Sequence, residues 1–158
     1  LVAPPLKGGR RILGSCPNRS CVFGTLLALC IGLTFSPAAS VIGDARAIAE
    51  KTGGSIHVME DPAVALQGVD VVVTDTWVSM GKEDEKAERV ATFGRYQVDA
   101  EKKALASPEA IFLHCLPADR GFEVAPEVID GPQSVIWDES ENRLHAQKAL
   151  LVWLLEQA

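Results

Sequence analysis

No C-x-x-C pair occurs among the four cysteines, Cys16, Cys21, Cys30 and Cys115, so the spacing used by structural zinc sites and thioredoxin-like redox motifs is missing. No metal set is read from this chain. A disulfide among the first three would require export, and nothing else resembles a stapled miniature scaffold. An excess of positive charge is also missing: 15 Lys+Arg stand against 21 Asp+Glu, a net charge of −6, which disfavours nucleic acid as a partner. The longest uncharged apolar stretch, residues 21–35, falls short of the roughly 20 residues that a membrane span needs. Gly and Pro, at 13 and 9, are too scattered for a fibrous or disordered chain.

What remains is a chain of 158 residues, 47% hydrophobic, long enough for one core and short for two domains. Its charge is unevenly distributed. Lys7, Arg10, Arg11 and Arg19 give residues 1–43 a charge of +4, leaving −10 for the rest. Residues 7–40 have the outline of a secretory signal, with cations, an apolar middle and small residues after it. A buried helix, or a strand and helix, is the other reading of the apolar run.

From residue 41 the pattern is regular. Residues 41–52 repeat at helical spacing through Val41, Ala45, Ile48 and Ala49, predicting a surface helix that Gly53 and Gly54 end in a left-handed turn. Residues 55–59 alternate as a short strand, and residues 61–66 open with a cap residue and a proline suited to a first helical turn. Residues 69–74 form a β-branched run of the sort buried on both faces of a parallel sheet. Residues 82–93 are charged and helix-prone, residues 110–114 and 134–137 read as further buried strands, and residues 142–157 as an amphipathic terminal helix. This alternation predicts an α/β fold: a three-layer, doubly wound, mostly parallel sheet of Rossmann-like type, in a single domain. Ligands in such folds bind beyond the carboxyl ends of the strands.

Three strand ends carry chemistry. The first reads DTWVSMG, residues 75–81, where Asp75 suits an ammonium group and Ser79 with Met80 a closing turn; alternatively Asp75 and Ser79 cap the next helix. The second reads HCLP, residues 114–117, and because neighbours along a strand face opposite ways, His114 and Cys115 are not expected to pair directly. Cys115 is not read as a covalent nucleophile. The third reads ENRLH, residues 141–145, where Arg143 at the opening of a helix suits a phosphate or a polarised carbonyl oxygen, or else a surface salt bridge with Glu139 or Glu141.

Taken together, DTWVSMG, HCLPA and ENRLHAQKALLVWLL closely resemble the carboxyl-terminal, ornithine-binding half of the ornithine carbamoyltransferase family, over about residues 41–158. HCLP together with SMG separates that enzyme from its aspartate-using relatives. The resemblance implies carbamoyl transfer from carbamoyl phosphate to the side-chain amine of ornithine, giving citrulline and phosphate, without metal or cofactor. It implies that Asp75, Ser79, Met80, Cys115 and Leu116 bind ornithine, and that Cys115, Leu116 and Arg143 contact the carbamoyl group. Cys115 and Arg143 then carry the catalytic roles, with His114 as a further candidate. It also implies a cytoplasmic enzyme, trimeric in the family, with ornithine and carbamoyl phosphate as its partners and no membrane or nucleic acid.

The chain departs from that family in three places. The S-x-R-T-R and H-P-x-Q strings of the family's amino-terminal half are absent, so the expectation is a fragment without the carbamoyl-phosphate domain, with little or no turnover alone and no assured trimer. Residues 1–40 are an atypical basic and apolar segment, as from a different reading frame or a degraded first βα unit, and Asn18 is not matched to the family's ornithine-contacting asparagines. Asp119 stands where relatives often have His. Two alternatives stay open: a noncatalytic amino-acid-binding module, and a carbamoyltransferase for putrescine or an acylated ornithine.

Overall fold

The computed structural model of the chain describes residues 26–30, 38–78, 81 and 83–157. Ser79, Met80 and most of residues 1–40 lie outside the described residues, and so do the expectations that fall on them. Strand β1 (Leu26–Cys30) is followed by helix α1 (Ala39–Thr52) and strand β2 (Ser55–Met59). Gly53 ends α1 at φ +76°, a backbone setting that costs glycine little, and the N–H groups of Gly53 and Gly54 both close on the carbonyl of Ala49. Only Ala49 of this helix is buried; Val41 and Ile48, on the same periodic face, are exposed. Asp61 then caps the short helix α2 (Pro62–Ala65) by accepting the N–H of Ala63 at 2.8 Å, with Pro62 in the first turn as expected.

Strand β3 (Val71–Thr74) leads through a 3-10 turn at Glu83–Glu85 into helix α3 (Lys86–Phe93), a second 3-10 turn at Gly94–Tyr96 and helix α4 (Ala100–Lys103). Strand β4 (Ile111–His114), helix α5 (Pro126–Ile129) and the 21-residue helix α6 (Ile136–Glu156) complete the chain. Parallel strands joined by helical crossovers make this a Rossmann-like α/β structure. Among the described residues the strands pair as β1 with β2 and β3 with β4, not as one continuous ladder.

Two expectations need correction. Val71 and Val72 are buried but Val73 is 50% exposed, so β3 is covered on one face and only partly on the other. Residues 134–137 do not form a strand. Ser134 makes one parallel bridge to Phe112, with Phe112 N–H donating to Gln133 O and Val135 N–H to Phe112 O, after which Ile136 starts α6. Asp138 and Glu139 in that first turn face the positive end of the helix dipole, which favours helix over a longer strand.

The core lies where β3, β4, α5 and the start of α6 meet, with Phe112, Val72, Val124, Ile129 and Ile136 at its centre. It fixes the β3 and β4 ends against the root of α6, and the candidate site forms there.

Candidate functional site

The register of the parallel pair sets the first contact. Thr74 lies opposite His114 at the last ladder step, so the next residues on each strand, Asp75 and Cys115, leave the sheet side by side. Cys115 Sγ donates to Asp75 Oδ1 across 3.0 Å, and the same oxygen accepts the N–H of Thr76 at 2.7 Å. Asp75 caps no helix. Its Oδ2 has no hydrogen bond among the described residues. Downstream, Trp77 is buried, packs against Phe93 with ring centroids 6.1 Å apart, and accepts Arg89 Nη1 on its carbonyl at 3.0 Å, which anchors the segment leaving Asp75.

The second contact comes from α6. Ile136, Glu139 and Arg143 are spaced i, i+3, i+7 and share one helix face. Ile136 enters the core, Glu139 Oε2 accepts the backbone N–H of His114 at 2.9 Å, and Arg143 Nη1 donates to the carbonyl of Cys115 at 3.2 Å. Because α6 begins at Ile136, Arg143 lies two turns inside it instead of opening it. Neither Glu139 nor Glu141 pairs with Arg143; Glu141 faces His145 at 3.5 Å.

The structure therefore brings Asp75, Cys115 and Arg143 into one group, with Leu116 beside them. Leu116 has φ +56°, a left-handed setting that costs a non-glycine residue about 1–3 kcal/mol. Its N–H donates to His114 Nδ1 at 2.9 Å, and the peptide to Pro117 is cis. His114 does not pair with Cys115: its buried ring turns to the other side, with Nε2 at 3.2 Å from Glu123 Oε1. Sequence reasoning missed Glu123 and Glu139. Glu139 could have been suspected from its spacing to Arg143, whereas no local signal marks Glu123.

Hydrogen bonding to Asp75, then burial, then the negative charge of Asp75 push the Cys115 thiol up to about 11 from an ordinary 9.0. A hydrogen-bond donor that keeps its proton is the result, in place of a reactive thiolate. A cleft of about 410 Å³ lies elsewhere, lined in part by Lys103, Ser107 and Gln133. Burial lowers the Lys103 ammonium, but its Nζ is committed to Ala110 O and Gln133 Oε1 at 2.7 and 3.1 Å, so it fastens α4 to neighbouring chain. Among the described residues, no three His, Cys, Asp or Glu side chains are gathered as a metal would need. Nor is any described helix long and apolar enough to cross a membrane.

Residues 8–154 match the family model described as the Asp/Orn binding domain of aspartate/ornithine carbamoyltransferase, a range that takes in most of the basic amino-terminal segment. The chain is 66% identical over 124 residues to the ornithine carbamoyltransferase of Clavibacter sepedonicus, covering 78% of this chain and 40% of that one. Among solved structures, ornithine carbamoyltransferase from Pyrococcus furiosus aligns with a TM-score of 0.74 at 45% identity, covering 78% of this chain and 40% of that one. The anabolic ornithine carbamoyltransferase from Campylobacter jejuni aligns with a TM-score of 0.80 at 37% identity, covering 85% and 45%. The chain thus spans about 40% of the length of the curated relatives it matches.

Proposed function

The chain belongs to the aspartate/ornithine carbamoyltransferase family, and from that premise we propose that residues 41–158 are the ornithine-binding domain of an ornithine carbamoyltransferase. The reaction is transfer of the carbamoyl group of carbamoyl phosphate to the side-chain amine of ornithine, giving citrulline and phosphate, in the cytoplasm. A substrate amine of Lys-like pKa, about 10.4, is protonated at neutral pH and must lose that proton before it attacks. In this reading Asp75 receives the amine-bearing end of ornithine. Its Oδ1 already holds two donors, which leaves Oδ2 for the substrate.

Cys115, held as a thiol, adds neither a competing nucleophile nor a second negative charge beside the amine. Arg143 spends one N–H on the Cys115 carbonyl and offers its remaining donors to the carbamoyl oxygen, where charge develops as the amine attacks. Leu116 lines the same position, and Ser79 with Met80 form the closing loop, roles that rest on the family resemblance.

The observation that carries this reading is the joining of two strand-end motifs and one motif on α6 at Cys115, through Asp75 at 3.0 Å and Arg143 at 3.2 Å. Titration calorimetry with ornithine, putrescine and N-acetylornithine tests it. Ornithine is expected to bind in preference to the other two, and Asp75→Asn to weaken it at least about tenfold, the scale of a charge-assisted hydrogen bond. Unchanged binding by Asp75→Asn, or a preference for either competitor, overturns the assignment. Ornithine binding without citrulline formation, even when a carbamoyl-phosphate-binding half is supplied, would make this a noncatalytic amino-acid-binding module.

A further inference from the structure

We propose that Glu123 is a positioning residue of the ornithine site, acting through the ring of His114, an inference that rests on the function proposed above. Both residues are fully buried, at 0% exposure. One oxygen, Glu123 Oε1, accepts the backbone N–H of Asp119 at 2.6 Å and faces His114 Nε2 at 3.2 Å. That single atom clasps the two ends of residues 114–119, the segment that contains Cys115 and Leu116.

The clasp also selects a tautomer. Leu116 N–H donates to His114 Nδ1, so Nδ1 must present a lone pair and the ring proton sits on Nε2, where Glu123 Oε1 accepts it. With the proton on Nδ1, two donors would face each other at 2.9 Å. Leu116 would then lose the bond that holds its left-handed backbone, and the adjacent Cys115 carbonyl would no longer be fixed for Arg143. Among the described residues Glu123 Oε2 has no hydrogen-bond partner, so an unsatisfied buried oxygen accompanies the arrangement; packing alone does not call for a carboxylate there.

The chain has three histidines, and the other two, His57 and His145, are exposed, so nitrogen-15 spectra of the imidazoles isolate the His114 ring. The unaltered chain is expected to show His114 protonated on Nε2, with a through-hydrogen-bond coupling between its Nδ1 and the Leu116 amide nitrogen. Glu123→Leu is expected to abolish that coupling and weaken ornithine binding about tenfold, the scale of one buried hydrogen bond. Glu123→Gln, whose amide oxygen still accepts both donors, should retain the tautomer and the coupling. A proton on Nδ1 in the unaltered chain overturns the proposal without any variant, which covers the case in which Glu123→Leu does not fold. So does a Glu123→Leu protein that keeps both the coupling and its affinity. If the unaltered chain ignores ornithine, the substrate reading falls, and loss of the coupling in Glu123→Leu still decides whether the clasp exists.

Discussion

Cys115 donates its thiol hydrogen to Asp75, and that bond, reinforced by burial and by the carboxylate's charge, raises the thiol from 9.0 to about 11. The sign is unambiguous. A raised thiol pKa favours the protonated form, so at about pH 8 the thiolate is roughly a hundredfold scarcer than in an ordinary cysteine, and alkylation slows in proportion. Peptide-resolved iodoacetamide labelling should find Cys115 reacting about a hundredfold more slowly in the folded chain than in the same chain unfolded in denaturant, with Asp75→Asn restoring most of the rate. Equal rates in folded and unfolded protein would contradict the hydrogen bond. Asp75, Cys115 and Arg143 were legible in the sequence because each follows a short apolar run and carries a polar side chain suited to an amine or a carbonyl oxygen. Glu123 was not. Its partners are a ring nitrogen nine residues away and a backbone N–H, and neither leaves a mark in residue order.

At the scale of elements, α4 shows how a four-residue helix is kept. Asp99 accepts Lys102 N–H at 2.8 Å as its cap and Lys102 Nζ at 2.5 Å. Burial pushes the Asp99 carboxyl up, but the Lys102 hydrogen bonds and charge outweigh it and the net shift is downward. A lowered carboxylate contributes stability above its ordinary 3.8 and loses it as pH falls through the lower folded value. Asp99→Ala is expected to cost about 1 kcal/mol near neutral pH in urea denaturation. That difference should shrink as the solution is acidified below 3.8, and a difference independent of pH would count against an ionised cap. Most elements followed from periodicity and caps, as Gly53 and Asp61 illustrate. Residues 134–137 misled because Val135 and Ile136 favour strands, while the acidic first turn and the core socket of Ile136 impose a helix.

For the molecule as a whole, stability is concentrated on one side. Phe112 is fully buried at the centre of the core, whereas the last turns of α6 carry Leu151, Trp153 and Leu155 in solvent, Leu155 at 77% exposure. Phe112→Ala should cost about 3–5 kcal/mol, a large share of the net stability of a small domain. Leu155→Ser should change it by no more than about 0.5 kcal/mol. Paired thermal and urea unfolding of the two variants checks both, and comparable losses would mean that the end of α6 is packed rather than bare.

The alternation of strand and helix, the caps that end them and the three motifs were determined by the order of residues alone, because propensity, periodicity and turn chemistry act over a few positions. Which side chains meet was decided only by the tertiary structure. The parallel register sets Asp75 beside Cys115, the seating of Ile136 swings Glu139 and Arg143 onto the end of β4, and the fold back to Glu123 closes the segment between. Those contacts span 4 to 40 residues of chain, and over the longer spans only packing, not local preference, brings two groups within hydrogen-bonding distance.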